Sequence, residues 1–286
     1  MNKKLLVMLV AAVILIGAGA SLLAYQPETV LAKDQKDQKA KFQLPASAVQ
    51  VADNLYSLGT AFDKNSGQQV EGYAIIHRRD EAAKSGNAKA GATACYGFLA
   101  KDAKWKGVSE SWVINPANTR GLDLTSVFNN LTSDIAKWED AAEGTIGNGA
   151  GVDILGDGIM TDTALVVDTS TPLDGQNEVY FADLSDPNAI AVTIIWGIFG
   201  GSPFNRQLVE WDQIYDDATY DWSISGEAGK MDFENIATHE LGHAVGMSDL
   251  YNSTCANETM YGYAAYGETK KRDLNAGDIS GISKLY

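Results

Sequence analysis

Apolar and polar residues change their rhythm along this chain, and the changes mark out its elements. Behind Lys3 and Lys4, an apolar run extends from Leu5 to about Ala24. A basic start followed by such a run is a targeting segment. Small residues at Gly17-Ala18-Gly19-Ala20 and at Leu23-Ala24 offer a cleavage site. The run is also about as long as a membrane-spanning helix requires, so a cleaved signal and an uncleaved anchor both fit. Basic ends stay in the cytoplasm, and the rest of the chain is expected outside the cell. Residues 25 to about 48 lose apolar periodicity, with Ala32-Lys33-Asp34-Gln35-Lys36-Asp37-Gln38-Lys39 as a polar linker. Val51 to Leu58 and Val70 to His77 then flank the turn signal Asp63-Lys64-Asn65-Ser66-Gly67, which predicts a hairpin. His77 falls on its second strand, with no catalytic task assigned. A stretch rich in Ala, Gly and Lys covers about 81 to 94.

From Cys95 onward the chain is denser in apolar and aromatic residues. Trp112 to Asn115 reads as a strand that Pro116 ends. Leu124, Val127, Leu131, Ile135, Trp138 and Ala142 step by three or four, the period of an amphipathic helix. Asp123 or Thr125 is positioned to cap it. Ala164 to Asp168, Asn177 to Leu184, Ala189 to Gly197 and Leu208 to Tyr215 are rich in β-branched and aromatic residues and predict strands, with a turn at Asp174-Gly175. Asp232 can cap a helix from Phe233 that Gly246 stops. A last helix is expected from Asn275, capped by Asn275 and Asp278, with Ile279, Ile282 and Leu285 on its apolar face.

Composition bounds the rest. The chain has 286 residues, 45% of them hydrophobic, so it can bury a sizeable core. Its net charge of −15 disfavours nucleic-acid binding, which needs a basic footprint. It has two cysteines, Cys95 and Cys255, and an exported chain with an even count suggests one disulfide.

The candidate chemistry lies in His239-Glu240-Leu241-Gly242-His243-Ala244-Val245-Gly246-Met247-Ser248-Asp249. On a helix, residues four apart share a face, so His239 and His243 can aim two imidazoles at one Zn²⁺, with Glu240 beside it as general base. Two of the chain's three histidines are spent here. A catalytic zinc usually takes three protein ligands and leaves one position open. Asp249, six residues past His243, is the candidate third ligand.

The same stretch resembles the metzincin pattern H-E-x-x-H-x-x-G-x-x-H. Beyond Asp249, Glu258-Thr259-Met260-Tyr261-Gly262, with Met260 eleven residues on, looks like the Met-turn that places a methionine beneath the metal. Lys104-Trp105-Lys106, Trp112 to Pro116, Trp138-Glu139 and the tail from Leu274 to Tyr286 are similar to matrixins. The resemblance covers roughly residues 96 to 286. It implies an α+β metzincin fold: a twisted, mostly parallel five-stranded sheet with an antiparallel edge strand, two long helices and a C-terminal helix. With the reading of the earlier residues, the chain is expected to divide into a targeting segment (1–24), a linker and candidate pro-region with a β-hairpin (25–94), and a matrixin-like domain (95–286). The resemblance implies a zinc-dependent endopeptidase acting on proteins or peptides, with substrate extended along an edge strand, for which Ala189 to Gly197 is the candidate.

The chain departs from the family by placing Asp249 where the third histidine usually stands. It also lacks histidines for the structural zinc of matrixins, so a single catalytic zinc is expected. Ca²⁺ could sit among the acids between Asp153 and Asp162, although no calcium-loop spacing is readable there. Tyr263, two residues after Met260, is either an oxyanion stabiliser, as a tyrosine there can be in astacins and serralysins, or a packed tyrosine. Cys95 is expected to pair with Cys255. The competing reading is a thiolate that blocks zinc, although Thr93-Ala94-Cys95-Tyr96-Gly97 does not match the usual switch motif. Asn130, Asn252 and Asn257 stand in glycosylation-acceptor triplets. The rival functional reading is a non-catalytic cell-surface binding module with a structural zinc. A zinc hydrolase acting on a non-peptide bond stands behind it.

Overall fold

A computed structural model describes residues 41–79, 94–107, 111–144, 146–147, 151–167 and 173–286. The expected targeting segment and most of both polar stretches lie outside the described residues. The described residues fall within one compact unit, Lys39–Tyr286. In chain order the strands are β1 (Val49–Ala52), β2 (Leu55–Phe62), β3 (Gln69–Arg79), β4 (Trp112–Asn115), β5 (Gly158–Met160), β6 (Asn177–Ala182), β7 (Ala189–Ile198), β8 (Gln207–Asp216), β9 (Trp222–Ser223), β10 (Met231–Asp232) and β11 (Tyr263–Ala264). The helices are α1 (Leu124–Ala142), α2 (Phe233–Ala244) and α3 (Ala276–Leu285). No described helix is long and apolar enough to cross a membrane.

One mixed sheet organises the molecule. Its order is β1-β2-β3-β7-β8-β6-β4-β5, with β11 added beside β3, nine strands in all. The β8-β6-β4-β5 half is parallel. The β1-β2-β3-β7-β8 half is antiparallel. This corrects the expected five-stranded, mostly parallel sheet. It also corrects the expected edge: Ala189 to Gly197 lies in β7, which pairs with β8 on one side and β3 on the other. The predicted hairpin is β2 and β3, and its second strand takes the place expected to be open. Nearly every residue of β6 and β7 is buried, as expected of strands covered on both faces.

Ala164 to Asp168 is corrected as well. Residues 164–167 carry no regular structure. Leu165 and Val167 pack against the core edge, and the Val167 amide bonds the Tyr180 hydroxyl at 3.2 Å in place of a strand neighbour.

The two faces of the sheet carry separate cores. One is packed under the helices and holds Ile114, Leu131, Trp138, Trp211, Phe233, Ile236, Leu241 and Ile282. The other combines Val70, Ala74 and Ile76 of β3 with Tyr180, Val192, Ile194, Trp196 and Ile214, covered by Phe42 and Leu184. The stripe read for α1 is buried from Val127 onward, with Leu131, Ile135, Trp138 and Ala142 inside, while Leu124 at the helix start is exposed. Its cap is Asp123, whose carboxylate accepts from the Ser126 amide at 2.8 Å. In α3 the capping carboxylate is Asp278, which accepts from the Asn275 amide at 2.9 Å.

Candidate metal centre

Helix α2 begins at Asp232, whose Oδ1 accepts from the Asn235 amide at 3.1 Å and pairs with Arg272. From there the helix runs through the core, with His239, Glu240 and His243 fully buried. It stops at Gly246, whose φ of +102° is costly for any residue with a side chain. The turn sends the chain back, so that Asp249 faces the helix.

Each imidazole is oriented from behind. His239 Nδ1 lies 2.7 Å from the Thr259 carbonyl, and His243 Nδ1 lies 3.0 Å from the Met247 carbonyl. A carbonyl only accepts, so the proton sits on Nδ1 in both rings and each Nε2 presents a lone pair. Those two Nε2 atoms lie 3.1 and 3.5 Å from Asp249 Oδ1. All three atoms are buried and lack a hydrogen-bond partner. Three convergent, orphaned ligand atoms are what a bound cation would satisfy. Ligands about 2.0–2.1 Å from a tetrahedral zinc stand roughly 3.4 Å from one another, close to the spacing here. The donor set therefore fits Zn²⁺, with His239, His243 and Asp249 as the residues that could hold it.

Behind this set the chain adds further support. Asp249 Oδ2 accepts from the Tyr251 hydroxyl at 2.8 Å, and Tyr251 accepts from Asn54 Nδ2 at 3.0 Å. Met260 lies under the helix: a Cβ on Gly242 would stand 2.2 Å from its Sδ. The Met260 and Thr259 amides both donate to Asp278, at 3.1 and 2.7 Å, tying the turn to the start of α3. Cys95 and Cys255 form a disulfide, with Cα atoms 5.3 Å apart across 160 residues. The bridge rules out Cys95 as a zinc-blocking thiolate.

Burial and neighbouring charge set the protonation of the cluster. Burial lowers the His239 pKa to about 4, keeping it neutral, the form that binds metal. Burial alone would raise the Asp249 pKa, but the neighbouring imidazoles, His243 first, hold it well below the usual carboxylate range. Burial raises Glu240 to about 7. Its Oε2 accepts from Thr193 Oγ1 at 2.5 Å, and its Oε1 lies 2.9 Å from His77 Nδ1. His77 stacks on His239 with ring centroids 3.9 Å apart.

His77 therefore belongs to the site, against the expectation of a bystander on a strand. No local pattern announces it, because its partner Glu240 is 163 residues away. Tyr263 sits half-buried in β11, its ring 5.5 Å from that of Tyr251. The tyrosine that bonds a candidate ligand directly is Tyr251, which sequence reasoning missed. Asp153 is drawn into a turn, accepting from the Gly156 amide at 3.1 Å.

Residues 202–286 match the family Matrixin. The match points to a metalloprotease. It covers less than a third of the chain, including α2, the Asp249 loop, Met260 and α3. No curated protein matches. Among solved structures, metalloproteinase-II from Bacteroides fragilis is similar at 8% identity, with 82% of this chain and 77% of that chain covered and a TM-score of 0.33. That likeness is too slight to bear on function.

Proposed function

We propose that this protein is an exported, zinc-dependent endopeptidase that hydrolyses peptide bonds in proteins or peptides. The observation that carries the reading is the convergence of His239 Nε2, His243 Nε2 and Asp249 Oδ1, buried and otherwise unpartnered, beside the Glu240 carboxylate. The matrixin match over 202–286 supports the reaction class, and the basic, apolar start of the sequence supports export, as a secreted or surface-anchored protein.

One Zn²⁺ held by His239, His243 and Asp249 would supply a Lewis acid for the scissile carbonyl and raise the acidity of water. Glu240, whose carboxylate lies beside His239, accepts the proton of the attacking water and passes it to the leaving amine. Tyr251 holds Asp249 in place through its second oxygen. Met260 supports the helix from below, and Tyr263 is the candidate second donor to the developing oxyanion. A closed structural zinc site takes four protein ligands. Among the described residues three ligand atoms converge with Glu240 beside them, which favours catalysis over a binding module.

The test is a quenched-peptide or casein assay on zinc-loaded protein, with and without chelator. Chelator-sensitive cleavage is expected, and Glu240→Ala should keep its zinc while losing turnover by several orders of magnitude. Absence of cleavage by zinc-loaded wild type would leave the binding module as the better reading.

A further inference from the structure

The Glu240 carboxylate is gripped from outside its own motif. Thr193 of β7 donates to one oxygen, and His77 of β3 meets the other. On its far side, His77 Nε2 lies 3.2 Å from Lys271 Nζ, which also donates to the Tyr261 carbonyl. Lys271 and His77 are both buried, at 0% and 1% exposure. A lysine ammonium offers only donors. His77 Nε2 must therefore accept, its ring proton must sit on Nδ1, and Nδ1 can only donate to Glu240. Stacking on His239 fixes the ring plane.

We propose that His77 and Lys271 are a positioning pair for Glu240. Lys271 sets the tautomer of His77, and His77 holds the Glu240 carboxylate in the rotamer that faces the His239, His243 and Asp249 cluster. This inference rests on the peptidase reading above. It also makes the β2–β3 hairpin a permanent part of the catalytic unit.

The packing of that hairpin argues the same way. Val70, Ala74 and Ile76 form part of the second core. The Trp196 ring lies against Gly72, where a Cβ would come within 2.4 Å of it. Strand β11, just past Met260, pairs in parallel with the end of β3. Asn54, between β1 and β2, donates to Tyr251, which in turn holds Asp249. Removing the hairpin would open a core face and strip two supports from the site. A removable cover would instead show a separable interface.

The test uses the full, zinc-loaded chain labelled with ¹⁵N-histidine. There are three histidines, and His77→Phe identifies the signal of His77. The expected result is an Nδ1-protonated His77 in wild type, shifting toward the Nε2-protonated form in Lys271→Met. In peptide hydrolysis, His77→Phe should lower kcat by about 10–100-fold, as loss of such supporting partners does, with KM and zinc stoichiometry unchanged. His77→Asn places an amide nitrogen as many bonds from the backbone as Nδ1, and should recover most of kcat. An Nε2-protonated His77 in wild type overturns the proposal, as does a His77→Phe enzyme with wild-type kcat. Faster turnover in His77→Phe also overturns it, and would make the hairpin a latch. If His77→Phe fails to fold, Lys271→Met with both readouts carries the same test. The wild type separates the two failures. If it cleaves nothing, the peptidase reading falls; if it cleaves and His77→Phe cleaves equally well, only the role of His77 falls.

Discussion

Asp249 is the residue on which the proposed zinc set turns. His239 and His243 are placed by helix geometry alone, but Asp249 reaches them because Gly246 turns the chain back and Tyr251 holds the free carboxylate oxygen. Losing a supporting partner of a metal ligand typically costs about 10–100-fold in affinity. Losing the ligand itself should cost more. Asp249→Ala is therefore expected to bind zinc over 100-fold more weakly, measured by competition with a calibrated chelator. Unchanged affinity would remove Asp249 from the ligand set. At this scale legibility follows sequence distance. His239, Glu240, His243, Asp249 and Met260 lie within one short stretch, where spacing on a helix and the turn after it are enough to read them together. His77 and Lys271 stand 194 residues apart and meet only through the sheet, so no local pattern could pair them.

Between elements, the decisive contact is α2 against the turn that carries Met260 and against α1. Gly242 is the point of closest approach, facing Met260 Sδ and the Trp138 ring, where a Cβ would come within 2.2 and 2.7 Å. Trp138 is pinned there by its indole N–H, which donates to the Thr238 carbonyl at 2.8 Å. Gly242→Ala gains helix propensity but overpacks this contact, a cost of about 1–3 kcal/mol. The expected net result is a lower midpoint in chemical unfolding, with weaker zinc binding because the helix is pushed off the turn. A midpoint at or above wild type would show that the packing gives way easily. Element types in this part of the chain were legible because their periods are clean: α1 steps by three or four, and β6 and β7 are continuous apolar runs. The place of β7 in the sheet was not legible. An apolar run buried on both faces reads alike at an edge and in the interior, and the partner that settles the matter lies over a hundred residues earlier in β3.

The whole molecule carries its charge in an uneven way. Burial raises Asp134 to about 8, despite Lys137 beside it, and raises Glu178 to about 7. Each keeps its proton in the folded chain at a pH where the unfolded chain has released it. The stability they lend is fully present below their ordinary carboxylate values and is lost as pH rises through about 7 and 8. Below about 6.5, His77 and His239, held neutral by burial, act in the opposite direction. The clean window therefore runs from pH 6.5 to about 7.5, because above it Lys271, whose pKa burial lowers to about 8, acts in the opposite direction. In metal-free protein the melting temperature should fall across it, by about 1 kcal/mol of stability per pH unit for a group such as Asp134. Asp134→Asn should flatten part of the slope. A wild-type slope that is level or rising would refute this assignment.

The pairing of a hairpin near the start of the described chain with a helix near its end has a consequence for the order of assembly. During synthesis β2 and β3 emerge first, but β7, which β3 needs as a neighbour, follows only after residue 189. Glu240 comes later still, and Lys271 and Asp278 last. Contacts so distant along the chain form slowly, because the intervening loop must close before they reward it. The carboxylate, its histidine and the lysine behind that histidine therefore come into register only once residue 271 has been made. A nascent or truncated polypeptide carries the whole H-E-x-x-H sequence without the frame that would aim it. On the proposed reading, hydrolytic capacity is thus timed by topology, and switches on with the closure of these late contacts.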